Sequence, residues 1–552
     1  MSIFKRRELY VYVVIALVAF AYGAWFRSHS LYQQFDTGVP DDAAYYLKPA
    51  LNVATGFGSS FDGTNPTNGY QPLWFLTLVA FFKLLPLDSM TLTGVWYAAL
   101  LLQAGIVALA TAVLTRFLSR LTQHLGLSIF LSFLPLLLIP GRILNLLETP
   151  LQFLLLSWIL LQLFNLLERP AYEDFRERLL ILGISAGLLF LARTDGIFMY
   201  GALLIPLGVK FWRDLRRITW FILPAAGIVL LYFVVNYATF GTIMPVSGTI
   251  KMNTTHELWQ ASTSVWQFIG SKLAFIFGPG DFASPYLKVL IQLWAFLVPA
   301  SIAIIYLRKR ILSNRQLIIA SLGVFLLAKY LGYTVIYHGS RTSAYWYWVI
   351  DVIIWLIISA AVLRWLLEKK WGLRYSAHGH RSLIVLAALT ILGCFTGGVY
   401  LRSMQPEKPI RDTSVLLDLA SFVNRSSFFA GKRLGAYNSG ILGYFSNRPL
   451  TNLDGLINSV EYARLIKEGR RDEWIRQNID VLVEYHSAYP AYYTSLGYLL
   501  YNVRSYIENP VPYTEATGDD YRVYVRPDLR DEFEAYLASA RELLPVAPPM
   551  NK

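Results

Sequence analysis

The run Leu9-Tyr-Val-Tyr-Val-Val-Ile-Ala-Leu-Val-Ala-Phe-Ala-Tyr-Gly-Ala-Trp-Phe26 is soon followed by Gly38-Val-Pro-Asp41-Asp42-Ala-Ala-Tyr45-Tyr46-Leu-Lys48-Pro49, and together they decide the fold. The first run has 18 residues and no charge, close to the ~20 apolar residues that span a bilayer. Lys5, Arg6 and Arg7 precede it, and the small residues of Ala21-Tyr-Gly-Ala24 would suit a cleaved signal peptide. Ten further apolar runs follow, so it reads as an uncleaved first helix. The second stretch sets two adjacent carboxylates at the exit of that helix.

Working outward, the whole 552-residue chain is apolar: 55% hydrophobic and 15% aromatic, with a mean hydropathy of +0.43. That excludes an ordinary soluble domain. The net charge of +13 sits between apolar segments, the pattern of a protein facing anionic lipid rather than nucleic acid. A single cysteine, Cys394, allows no intrachain disulfide.

Eleven spans are expected near 9–27, 92–116, 125–140, 150–168, 180–194, 196–212, 218–240, 286–306, 317–337, 347–367 and 382–401. Leu73–Pro86 is also apolar, but it has 14 residues and contains Lys83. It reads as a re-entrant or interfacial helix. Charge supports that choice. The segments then inside hold 20 Lys/Arg in about 60 residues, and those outside hold 6 in about 130. The amino end is therefore expected inside and the carboxyl end outside.

Residues 402–552 change character, with more charge and no long apolar run. Asp480–Tyr485 and Tyr521–Arg526 read as strands, and Ser459–Gly469 and Pro527–Leu544 as helices. The expected organisation is a helical membrane domain over 1–401, with a first outer loop at 28–91, and an extracytoplasmic α/β domain over 402–552.

The first outer loop carries the richest chemistry. Amides at a helix start favour negative charge, so Asp41 and Asp42 are expected to stay ionised. An ionised carboxylate suits a general base. The bland alternative is an N-cap. Here the chain resembles the GT-C superfamily of membrane glycosyltransferases, which includes protein O-mannosyltransferases, lipid A aminoarabinose transferases and mycobacterial arabinofuranosyltransferases. Asp41-Asp42-Ala43 stands where that superfamily carries its acidic pair. Asn65-Pro-Thr-Asn-Gly-Tyr70-Gln71-Pro-Leu-Trp74 resembles its second loop element, and a membrane-lying helix follows in both.

The resemblance implies a sugar transferred from a polyprenyl-phosphate donor to an extracytoplasmic hydroxyl on a glycan, lipid or protein, with inversion. Asp41 would be the base and Asp42 its partner. It also implies a second acid in a later outer loop, where Asn145-Leu-Leu-Glu148-Thr-Pro150 stands. The alternative for Glu148 is a loop acid that reaches water. Arg193-Thr-Asp195-Gly196 lies at a hairpin tip, where Arg193 and Asp195 either close the hairpin or shape the site.

A lipid-phosphate donor needs cations. Lys251, His338 and Arg341 are the candidates, and Arg341 offers the guanidinium fork. The alternative for the last two is an interfacial aromatic belt. Lys329 and Asp351, inside spans, read as a structural ion pair. Gly435–Gly443 lacks a nucleotide fingerprint. With Asn452–Gly455 it resembles the tails of some bacterial GT-C enzymes, which implies a bacterial plasma membrane. No metal is demanded, although two acids and a phosphate could hold Mg²⁺. The competing class is a transporter or flippase of a lipid-linked glycan, but no internal repeat of that kind is visible.

Overall fold

The structure, a computed structural model, describes residues 3–36, 38–168, 175–251, 313–336, 349–370, 412–485, 490–507, 510 and 521–543. Apolar runs become helices because a bilayer offers the backbone no other hydrogen-bond partner. The chain starts with α1 (Ile3–Phe26), then three short helices, α2 (Leu31–Asp36), α3 (Ala44–Ala54) and α4 (Pro72–Phe82). Next come α5 (Leu92–Thr122), α6 (Leu125–Leu138), α7 (Pro140–Ile143), α8 (Thr149–Glu168), α9 (Phe175–Ala192), α10 (Ile197–Lys210) and α11 (Thr219–Phe240). Further on are α12 (Asn314–Ile336) and α13 (Val349–Lys370).

Leu9–Phe26, Leu92–Thr122, Thr149–Glu168 and Leu215–Phe240 are each long and apolar enough to cross a membrane. The chain is a membrane protein. Nine of the expected spans coincide with helices, while 286–306 and 382–401 lie outside the described residues. α5 runs past the expected end at 116 to Thr122. Hydropathy drops at Arg116 and Arg120, but the helix continues, and Arg120 Nη1 donates to Asn165 Oδ1 at 2.5 Å. The run at 73–86 forms α4, an 11-residue helix too short to span.

The tail supplies α14 (Asp412–Arg425) and then a five-stranded sheet of order β2-β1-β3-β5-β4. The strands are β1 (Leu434–Ala436), β2 (Leu450–Asn452), β3 (Val481–Glu484), β4 (Leu499–Asn502) and β5 (Arg522–Val525). β1 pairs in parallel with β2 and β3, and β5 pairs antiparallel with β3 and β4. Helices α15 (Gly440–Phe445), α16 (Val460–Lys467), α17 (Arg471–Asn478), α18 (Pro490–Ser495) and α19 (Arg530–Leu543) complete it. β3, β5, α16 and α19 fall on the segments expected to be strand or helix.

The proposed domain boundary at 401/402 lies outside the described residues. The tail does not stand apart. One apolar core joins Phe61, Trp74 and Trp96 from the front of the chain with Leu416, Leu442, Tyr444 and Val481. Trp96 meets Tyr444 edge-on at 5.4 Å. Tyr32 and Tyr521 both donate to the Asp418 carboxylate, at 2.6 and 2.7 Å. A Cβ at Gly69 would overlap the Leu456 carbonyl, so the loops touch backbone to backbone.

Candidate active site

Pro40, extended at φ −81° and ψ 162°, has no N–H to offer a preceding turn and starts a single tight turn, Asp41–Ala43. α3 continues it, so Asp41 and Tyr45 share one face and Asp42 and Tyr46 the next. Neither acid caps its own helix. The Asp41 carboxylate reaches across to the tail. Its Oδ1 accepts Ile441 N–H at 2.6 Å and its Oδ2 accepts Gly440 N–H at 3.0 Å. It therefore caps α15. A Cβ at Gly440 would collide with the Asp41 backbone carbonyl.

Both acids are expected to stay ionised, and their surroundings push against that. Burial pushes Asp41 up to about 7, against the Ile441 N–H, while the charges of Asp42 and Asp454 add to the rise. Asp42 is raised too, by burial first; the Lys251 charge pulls it down and Glu148 pushes it up. The helix-start amides are not the leading influence on either half-buried carboxylate; partial burial is.

Glu148 is buried at the end of a loop held from two sides. Trp74 Nε1 donates to the Leu146 carbonyl at 2.8 Å. The Gln103 amide accepts Leu146 N–H and donates to the Leu147 carbonyl, both at 2.9 Å. Leu146 has φ +61°, an uncommon conformation for a residue with a Cβ. These bonds hold that strained residue in place, which is the pattern of a fixed functional loop. Glu148 Oε2 accepts the Tyr46 hydroxyl and Oε1 accepts Arg193 Nη1, each at 2.8 Å. The idea of a loop acid reaching water is excluded.

From Arg193 the charges alternate. Its Nε lies 3.2 Å from Asp195 Oδ2, Lys329 Nζ lies 3.6 Å from the same oxygen, and Lys329 pairs with Asp351 at 3.0 Å. All five side chains, from Glu148 to Asp351, are buried. Arg193 pairs with Asp195 across the hairpin tip, as one of the two expectations had it, and also with Glu148. The Lys329–Asp351 pair is as expected. Buried charges in such a ladder are tolerable only because each has a partner.

Of the other expected site residues, Gln71 joins the cluster. Its side-chain oxygen accepts Thr194 N–H at 3.2 Å and its N–H faces the Tyr46 hydroxyl at 3.4 Å. Tyr70 instead stacks on Phe75 at 3.8 Å and pairs its hydroxyl with Ser59, so it builds the loop. Lys251 acts on Asp42 through its charge. His338 and Arg341 lie outside the described residues. Among the described residues, no three His, Cys, Asp or Glu side chains gather as a metal site.

The apo crystal structure of the oligosaccharyltransferase from Archaeoglobus fulgidus is similar over 88% of this chain and 71% of that one, at 12% identity and a TM-score of 0.51. The chain shares the fold of that structure. At that identity the shared property is the fold. A likeness to apo ArnT from Cupriavidus metallidurans covers 94% of this chain and 97% of that one, at 15% identity and a TM-score of 0.46. No protein-family profile matches the sequence, and no curated protein does.

Within this fold, sequence reasoning missed several neighbours of the acids. Tyr45 donates to Asp454 Oδ2 at 3.0 Å, and Asn452 Nδ2 lies 3.3 Å from the Tyr45 hydroxyl. Burial raises Asp454 to about 6. The spacing Asp41/Tyr45 and Asp42/Tyr46 was the available signal for the tyrosines. Asp454 lies in the stretch Asn452–Gly455, which carried a resemblance but no chemistry, and its partner Tyr45 is more than 400 residues away along the chain.

Proposed function

We propose that the protein is a glycosyltransferase that moves a sugar from a polyprenyl-phosphate donor to an acceptor hydroxyl, on the extracytoplasmic side of a bacterial plasma membrane. The observation that carries this reading is the difference between the two adjacent acids. Asp41 spends its carboxylate on two backbone N–H groups. Asp42 has its basicity raised by burial first, with the Lys251 charge opposing and the Glu148 charge adding to the rise. The base in this reading is Asp42, and Asp41 positions the loop against the tail.

Asp42 takes the proton of the acceptor hydroxyl. The acceptor oxygen attacks the anomeric carbon from the face opposite the phosphate, the carbon–oxygen bond to the phosphate breaks, and configuration inverts. The leaving lipid phosphate is already an anion and needs no acid. Lys251, with Arg341 and His338 as further candidates, balances its charge. Glu148, held by Tyr46 and Arg193, is a positioning residue that raises the basicity of Asp42.

A cavity of about 250 Å³ between α9, α10 and α11 supports a lipid donor. Gly187, Phe190, Ile197, Ala225, Val229 and Phe233 line it. Phe190 and Ile197 flank the Arg193–Asp195 turn, so an isoprenoid lying there would have its phosphate end near the charges.

A panel of polyprenyl-phosphate sugars, offered to the full chain in lipid nanodiscs, tests the reading. Release of polyprenyl phosphate from at least one donor, dependent on Asp42, supports it. Inertness toward all donors and acceptors, with transport of a lipid-linked glycan, would replace it.

A further inference from the structure

The loop element Asn65–Trp74 sends Gln71 to the acid cluster, but its Asn68 serves another part of the chain. α11 ends where Gly241 adopts φ +70°, a left-handed stop that turns the chain back. Asn68 grips the segment that follows. Its Oδ1 accepts Val246 N–H at 3.0 Å, and its Nδ2 donates to Asn236 Oδ1 at 3.1 Å and to the Met244 carbonyl at 3.4 Å. Asn236, late in α11, donates in turn to the Ile243 carbonyl at 3.2 Å. Two carboxamides thus satisfy backbone groups of Ile243, Met244 and Val246. Asn68 and Asn236 are only 3% and 5% exposed. Water cannot readily replace them there, and a buried backbone group left without a partner is costly, so the two side chains fix the corner.

Past the corner a helical turn begins at Pro245, whose carbonyl accepts Gly248 and Thr249 N–H at 3.0 and 3.1 Å. Val246 and Ile250 lie one turn apart and are buried together with Ala463 of α16. Gly455 of the tail meets the same turn. It has φ +84°, and a Cβ there would stand 3.1 Å from Ile250. Its neighbour Asp454 accepts the Tyr45 hydroxyl at 3.0 Å, and Tyr45 lies one turn beyond Asp42. The chain therefore delivers Lys251, the half-buried residue after Ile250, to the acid pair, where its charge acts on Asp42. Among the described residues, Glu148, Asp41 and Asp454 are the other charged groups that Asp42 feels or affects.

We propose that Asn68 is a positioning residue: with Asn236 it clamps residues 243–246, and the clamp holds Lys251 beside Asp42. Asn68 touches neither donor nor acceptor and acts through Lys251. The inference rests on the transferase reading for its effect on turnover; the clamp itself stands on the hydrogen bonds.

The test compares wild type, Asn68→Ala and Asn236→Ala as full chains in nanodiscs. Hydrogen exchange of the Val246–Thr249 amides, with α5 amides as internal control, should quicken about tenfold in Asn68→Ala, the weight of one buried hydrogen bond. In transfer assays kcat should fall. The acid limb of the pH profile should also move to higher pH, because a carboxylate that loses a nearby cation keeps its proton longer. The move should match that of Lys251→Ala, and Asn68→Ala should add nothing further in the Lys251→Ala background. A residue that merely supports the fold would lower the amount of active protein and leave the limb in place. Asn236→Ala keeps the bond between Asn68 and Val246 N–H, and gives a second readout, in the same direction, if Asn68→Ala does not fold.

Three results would overturn the clamp: exchange at Val246–Thr249 unchanged in both variants, an acid limb unmoved in every folded variant, or shifts of Asn68→Ala and Lys251→Ala that add in full. Quickened exchange in a protein whose wild type transfers sugar from no donor would remove the transferase reading and leave the clamp standing.

Discussion

Asp41→Asn separates the two acids most cleanly. In the wild type both carboxylate oxygens are used, on Ile441 N–H at 2.6 Å and Gly440 N–H at 3.0 Å. Asparagine keeps one oxygen and turns an amide N–H₂ toward the other donor. One hydrogen bond to a charged acceptor is lost, which is worth roughly 2 kcal/mol. Local opening of α15 should become about 30-fold more frequent, since each 1.4 kcal/mol is about tenfold. The assay is hydrogen exchange on Gly440 and Ile441, with α5 amides as the internal control. Their exchange should quicken while α5 is unchanged, and transfer should fall only as far as the docking loosens. Unchanged exchange at Gly440 and Ile441, together with a collapse of transfer, would return Asp41 to the role of base.

Arg193→Met should destabilise the protein by roughly 3–5 kcal/mol, because it leaves Glu148 a buried charge without its cation and takes from Asp195 one of its two cationic neighbours; an unchanged melting temperature would show that the ladder is not structural. The acid limb of the transfer rate should lie above the ordinary carboxylate range, because Asp42 is raised. Lys251→Ala should move it higher and Glu148→Gln lower, and shifts of the opposite sign in the pH profile would refute the pairing of charges. Stability also carries a signed pH dependence. Asp41 at about 7, Asp454 at about 6 and Glu484 at about 8, each raised chiefly by burial, hold their protons longer in the folded state. The unfolded values are about 4. The folded state therefore binds more protons between about pH 4 and pH 8, and stability should fall as pH rises through that window. Urea unfolding at the two ends of the window measures it, and a stability that rises with pH would contradict the burial of these acids.

How much of this was readable in the sequence depends on distance along the chain. The helices were legible because each is a local run of apolar residues. Their ends were not, because α5 keeps its helix through Arg116 and Arg120, where hydropathy has already fallen. β3 and β5 were legible as alternating or apolar runs. β1 and β2 are only three residues long, and β4, at the sheet edge, is half exposed where β3 and β5 are buried throughout. Asp41 and Asp42 were legible as a pair, but their division of labour was not. It is set by Gly440 and Ile441 some 400 positions away, and by Lys251 and Glu148 from other parts of the chain. The alternating ladder through Arg193 and Lys329 was half legible, since its members were visible and their pairing was an outcome of helix packing.

The central claim is that Asp42 takes the proton of the acceptor. The direct measurement is single-turnover transfer from the polyprenyl-phosphate sugar that the wild type accepts, with Asp42→Asn, Asp41→Asn and wild type side by side and donor binding measured separately. Asp42→Asn should bind donor normally and transfer roughly two to four orders of magnitude more slowly, the usual contribution of a general base. Asp41→Asn should lose much less. Transfer at the wild-type rate by Asp42→Asn would contradict the account.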